Sequence, residues 1–139
     1  MEIIANAIQT VLSNQNVYFT DTVTCGNCAM VHRPGSGLIT LKGNTNQSRA
    51  RYKVTFSGNI AIPTGGTVEP ISLALAVDGE AVPATTMIVT PAAVENYFNV
   101  FGQIFLDVSK GCCNTISVKN INTQSINVQN ANLILERVA

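Results

Sequence analysis

Apolar and polar residues alternate with a period of two along most of this chain, and a helical period is hard to find anywhere. The stretch "RARYKVTFSGNIAI" carries the alternation furthest. Ala50, Tyr52, Val54, Phe56, Gly58, Ile60 and Ile62 fall on one face, and Arg49, Arg51, Lys53, Thr55, Ser57 and Asn59 on the other. Successive strand residues point to opposite faces, so this reads as a half-buried antiparallel strand with a solvated outer side. β-Branched runs bounded by Gly, Pro, Asn and Ser clusters predict the rest: strands at roughly 2–9, 16–20, 28–33, 37–42, 49–62, 70–78, 81–90, 96–108, 114–120 and 125–137. Only "TPAAVENYF" (Thr90 to Phe98) has the makings of a single helical turn. About ten strands without helices imply a sandwich or a barrel.

Three local features refine this picture. In "SLALAVDGEAVPATTMIV" the Asp78–Gly79 pair is of the type that accepts the positive φ of a tight hairpin turn. In "NYFNVFGQIFLDV", Phe98, Val100, Ile104, Leu106 and Val108 share one face, while Tyr97, Phe101 and Phe105 share the other. A strand apolar on both faces needs cover on both. "SLALAV" likewise sets Leu73, Leu75 and Val77 against Ser72, Ala74 and Ala76, small residues that permit close approach of another surface. In the last strand the apolar phase changes from even (Ile126, Val128) to odd (Leu133, Leu135), which predicts a β-bulge around Asn130 to Asn132. The polar tracts "GNTNQS" and "NINTQS" read as loops, and nothing divides residues 1–139 into more than one domain.

Composition adds a constraint on the surface. Of 139 residues 46% are hydrophobic and only 12% charged, about half the usual charged share. No apolar run approaches the ~18–20 residues of a transmembrane helix, and 6% aromatics are too few for the girdles of a membrane barrel. The low charge is therefore read as burial between subunits, with no membrane partner. Net charge is zero and the basic residues are scattered along the chain, which disfavours nucleic acid as a partner. The start "MEIIANAIQTVL" has Glu2 where a signal peptide needs basic residues, so the chain is expected to be made in the cytoplasm without export by that route.

The cysteines are the one constellation with reactive potential. "TCGNCAMVHR" supplies Cys25, Cys28 and the sole histidine, His32, and "KGCCN" supplies Cys112 and Cys113. Cys25, Cys28, His32 and Cys112 could make a tetrahedral zinc set. Adjacent strand cysteines point apart, however, and free thiols outweigh a disulfide between the clusters, which outweighs a metal. A dithiol oxidoreductase would need a helix N-terminus beside Cys-Gly-Asn-Cys, and none is predicted. His32 as half of a nucleophile dyad is weaker than His32 as a turn histidine. The carboxylates are dispersed, and the glycine-rich "GSG" and "TGG" precede no helix. No catalytic residue and no cofactor is assigned, and the reading is not an enzyme.

The strand order then matters. "SRARYKVTFSGNIAI", "ISLALAVDGEAVPATT", "YFNVFGQIFLDV" and "NTISVKN", over roughly residues 36 to 137, resemble the tumour necrosis factor and complement globular-head superfamily. They are most similar to bacterial C-terminal domains at the tips of collagen-like spore-surface glycoproteins, and more weakly to small proteins of Firmicutes and their phages. The resemblance implies an all-β, ten-stranded jelly roll in two sheets, assembled as a homotrimer with Tyr97, Phe101 and Phe105 near the threefold axis. It departs from the spore-surface proteins in lacking a collagen-like Gly-X-Y segment. The function expected is a structural surface protein displayed on a particle, with a capsid or other particle-surface protein as partner. A phage virion decoration or head fibre fits first, with a receptor- or glycan-binding head or a spore-surface layer as alternatives.

Overall fold

The Arg49–Ile62 alternation becomes the spine of one sheet. In the computed structural model, which describes residues 1–25 and 28–139, Ala50, Tyr52, Val54, Phe56, Ile60 and Ile62 are all fully buried. The Gly26–Asn27 step inside the Cys-Gly-Asn-Cys motif lies outside the described residues. Among the described residues the chain runs through twelve strands: β1 (Glu2–Ala5), β2 (Gln9–Val11), β3 (Asp21–Thr24), β4 (Met30–His32), β5 (Ile39–Lys42), β6 (Arg49–Ala61), β7 (Ile71–Val77), β8 (Glu80–Ala81), β9 (Met87–Val89), β10 (Phe98–Ser109), β11 (Cys113–Asn120) and β12 (Ile126–Arg137).

The first sheet has the order β10-β6-β12-β1-β3, with β2 also on β12, and the second has β4-β5-β11-β7-β8, with β9 also on β7. All pairings are antiparallel. The core lies between the sheets, where Tyr52, Phe56, Leu133 and Leu135 from one meet Ile39, Leu41, Leu73, Leu75 and Ile116 from the other. Each such side chain contributes about 1.5–3 kcal/mol relative to leaving it in water. Tyr52 keeps its polar end satisfied by donating to the Lys42 carbonyl at 2.6 Å, a bond that runs from one sheet to the other.

The hairpin and the bulge fall where the alternation puts them. Asp78 and Gly79 take φ of 52° and 85°, and β7 pairs with β8 through Ala76↔Ala81 and Val77↔Glu80. Asp78 also accepts from the Thr115 backbone N–H at 2.9 Å and from Asn114 Nδ2 at 2.6 Å, fastening the turn to β11. In β12 the register slips between Gln129 and Asn132, with Asn130 at φ 54°. The same slip divides the strand expected at 2–9 into β1 and β2, which pair with β12 on either side of it.

Elsewhere the structure corrects the pattern. The strand expected at 81–90 is broken by Pro83, which has no N–H to give the ladder and opens a 3-10 turn at Pro83–Thr85. Thr85 repairs the gap, its hydroxyl accepting from Leu75 N at 2.9 Å and lying 2.7 Å from the Val82 carbonyl. The strand expected at 16–20 is replaced by β3 at Asp21–Thr24, and Asn16 makes only an isolated bridge to Lys119. Ala74 and Ala76 are fully buried within the single chain, so they offer no open surface.

The "NINTQS" loop is an internal clasp. Asn120, fully buried, donates to the carbonyls of Val11 (2.9 Å) and Gln124 (3.0 Å), and its Oδ1 accepts from Asn122 N and Nδ2 at 2.8 Å each. Asn122 in turn holds both the N–H and the carbonyl of Ser72. Every donor and acceptor of the Asn120 amide is occupied, which is what burying it requires.

Candidate interaction face

β10 closes one end of the first sheet, paired on one side with β6 over its whole length. Its even residues turn inward: Val100 and Val108 are buried, and Ile104 and Leu106 are half-buried because an edge strand is covered less completely. Phe98 departs from the expected core face and is 44% exposed, since it lies at the first paired position of the strand, opposite Ile60. The odd residues point outward. Phe101 is 58% exposed and Phe105 63%, two phenyl rings about 13 Å apart along one strand face.

The register builds the rest of the face row by row. Phe105 lies opposite Lys53, which lies opposite Glu136; Phe101 lies opposite Ser57, then Asn132, then Ile4. The charged side of β6, expected to be merely solvated, is therefore the same face as the phenylalanines. Ile134, 41% exposed between Asn132 and Glu136, belongs to it as well. That residue was missed, although the phase change that turns Leu133 and Leu135 inward also turns Ile134 outward.

Polar contacts frame the apolar centre. Asn99 Nδ2 donates to Asn59 Oδ1 at 3.2 Å, and Asn59 Nδ2 donates to Asn130 Oδ1 at 3.4 Å, a chain of amides across three strands. Asn132 Nδ2 donates to Glu2 Oε2 at 2.6 Å. Tyr97 stands at the far end, half-buried, its hydroxyl 3.5 Å from Asn127 Nδ2. At the other end Arg51 forks onto Asp107 through Nε (2.8 Å) and Nη2 (3.1 Å), and Arg49 Nε lies 3.3 Å from the same carboxylate. The Arg51 hydrogen bond, with the charge of both arginines, holds Asp107 below the usual carboxylate range. Beside Phe105 a shallow hollow of about 260 Å³ is lined by Lys53, Gln103, Ile104 and Phe105. Such a face can bury apolar area against a partner.

The reactive candidates lie elsewhere. All four cysteines are exposed free thiols. His32 is drawn away from them: its Nε2 sits 2.9 Å from the Ser36 carbonyl, which makes Nε2 the protonated nitrogen, and its ring packs edge-on against Phe19. Nδ1 is buried without a partner among the described residues. Among the described residues no three His, Cys, Asp or Glu side chains converge to hold a metal.

No family model matches this chain. No curated protein matches it either. Among solved structures it is similar to the globular domain of zebrafish complement 1qA protein, with a TM-score of 0.63 at 14% identity over 96% of this chain and 93% of that one. The C-terminal domain of EclA, a sugar-binding protein, gives 0.44 at 15% identity over 94% and 79% of the two chains. A family 35 carbohydrate-binding module from Clostridium thermocellum gives 0.36 at 20% over 96% and 91%. The two-sheet layering, the strand order and the match over nearly the whole of both chains together give this chain the jelly-roll fold of that complement globular domain.

Proposed function

We propose that this chain is a non-enzymatic structural surface protein whose jelly roll assembles as a homotrimer and is displayed on a particle, as a phage virion decoration or head-fibre protein. The observation that carries the assembly is the pair Phe101 and Phe105, outward on the edge strand of the first sheet and more than half exposed. Aromatic side chains on an uncovered sheet face mark a protein contact, and burying each ring contributes about 1.5–3 kcal/mol. Two further copies of the chain are the occupants: a chain with only 12% charged residues is read as one that buries surface between subunits, and the threefold arrangement is what the sequence resemblance implies. Tyr97 extends the same face at its far end. Display on a particle is the setting that an outward contact surface suits, and a spore-surface layer satisfies the same description.

Sedimentation equilibrium at micromolar concentration tests the assembly. Three 14.8 kDa chains per particle are expected, and a stable monomer overturns it. Immunogold labelling of purified virions and spores then separates the two settings. A second reading, a receptor- or glycan-binding head, is favoured by the amides of Asn99, Gln103 and Asn132 around the phenyl rings, the mixture of stacking surface and hydrogen-bonding groups that sugars use. That reading requires glycan binding that disappears in Phe105→Ala.

A further inference from the structure

Every cysteine of the chain lies at one end of the sandwich, on two connections that cross from the first sheet to the second. Cys25 and Cys28 lie between β3 and β4, and Cys112 and Cys113 lie where β10 turns into β11. Both connections are tied to the end of β5, from opposite sides. Lys42 N–H donates to the Ala29 carbonyl and Gly43 N–H to the Cys112 carbonyl, each at 2.8 Å. Gly43 is required here, because a Cβ would collide with the Ser109 carbonyl oxygen.

This geometry sets β5 between the two connections. Across it the backbones of Ala29 and Cys112 stand about two strand spacings apart, roughly 10 Å, and a disulfide needs Cα atoms within about 7 Å. Cys113 opens β11, while Cys112 precedes it in the turn whose N–H closes on the Ser109 carbonyl at 2.9 Å. Both are exposed free thiols. Their surroundings are basic: Lys42 lies directly opposite Cys113 in the ladder, Lys110 is two residues from Cys112, and Arg137 Nη1 reaches the Asn44 carbonyl at 2.7 Å. A nearby carboxylate, Asp78, is occupied by Asn114 and Thr115.

We propose that this thiol-bearing end is a covalent modification site, at which Cys113, with Cys112 beside it, takes up an anionic low-molecular-weight disulfide of the glutathione disulfide kind. The cysteine thiolate attacks one sulfur of the incoming disulfide, whose S–S bond breaks. One half stays as a mixed disulfide, and the other leaves as a thiolate that takes up the proton the cysteine gave to solvent. The cysteine sulfur is oxidised and the leaving half reduced, so the incoming disulfide is itself the oxidant and the electrons balance. Lys42 attracts the carboxylates of the reagent.

The test incubates the reduced full-length protein with glutathione disulfide or with cationic cystamine at low salt and maps adducts by peptide mass. Adducts on Cys113 or Cys112 are expected, forming faster with the anionic reagent. Lys42→Glu should lower that preference by about threefold or more, as one charge at this range does, and Lys42→Gln by less. Both variants should keep the wild-type circular dichroism, since Lys42 is exposed. Adducts confined to Cys25 and Cys28, equal rates for both reagents, or no response to Lys42→Glu would overturn the proposal.

Discussion

The outer faces of the two sheets began as similar patterns and end as opposites. Both β7 and β10 read as strands apolar on two sides, each in need of a second cover. On β7 the outward residues are small, and Ala74 and Ala76 are fully buried by the chain itself, alongside Ser117 on the neighbouring strand. On β10 they are phenylalanines, and the chain leaves them more than half exposed. An apolar outer face is therefore left open where its side chains are too large for the chain's own side chains to shade and its strand sits at a sheet edge.

Substitutions can break or sharpen that contrast. The largest effect is expected from Ala76→Asp. A carboxylate placed in a fully buried position without a partner costs several kcal/mol, and circular dichroism should show the fold lost at room temperature. Phe105→Asp should do the reverse, keeping a folded monomer within about 0.5 kcal/mol of the wild-type chain while sedimentation shows assembly abolished, because three carboxylates would meet in a dry contact. Glu80→Lys, on the exposed turn of the other sheet, should leave assembly intact. If Phe105→Asp and Glu80→Lys behave alike, the interaction face is misplaced.

A smaller contrast separates Asp107 on the first sheet from Asp78 on the second. Both carboxyls are held below their usual value, Asp107 chiefly by its hydrogen bond from Arg51, Asp78 chiefly by the Thr115 backbone N–H and then by Asn114. The unfolded carboxyl titrates near about 4, so the stabilising contribution of each is complete above that pH and disappears as pH falls through its lower native value. High salt should erase the Asp107 share, an exposed ion pair, and spare the Asp78 share. Melting between about pH 2 and 5 at low and high salt, in Asp107→Asn and Asp78→Asn, checks this; equal salt responses would contradict it. The smallest effect should come from Ser117→Ala. Its buried Oγ has no partner among the described residues, so melting should stay level or rise by about 1 kcal/mol of stability.

Local chemistry carried most of what was legible in the sequence. Alternation located β6 and β10, Asp78–Gly79 located the hairpin, and the phase change in the last strand located the bulge, because each is decided by residues within a few positions of one another. Lateral pairing is decided by residues far apart in the chain, and there the pattern was silent. Nothing in "RARYKVTFSGN" says that Lys53 will stand beside Phe105, or in "NINTQS" that Asn120 will hold Val11. Pro83 was a readable break that the β-branched residues around it obscured. The cysteines were visible from the first reading; their gathering at one end depends on β5 passing between two crossovers.

Tyr52 gives the molecule a built-in optical gauge. The chain has no tryptophan and three tyrosines, so its near-ultraviolet absorbance is tyrosine absorbance. Burial pushes the Tyr52 phenol up, against a weaker downward pull from Arg137, and its proton is engaged on the carbonyl of Lys42 across the core. Its contribution to stability is whole below the phenol's ordinary value of about 10 and fades as pH climbs through the raised one. Forming the phenolate gives up the hydrogen bond that ties the Tyr52 hydroxyl to the Lys42 carbonyl in the other sheet. A late step in an alkaline absorbance titration would thus report the loss of this tie between the sheets, with no dye and no label.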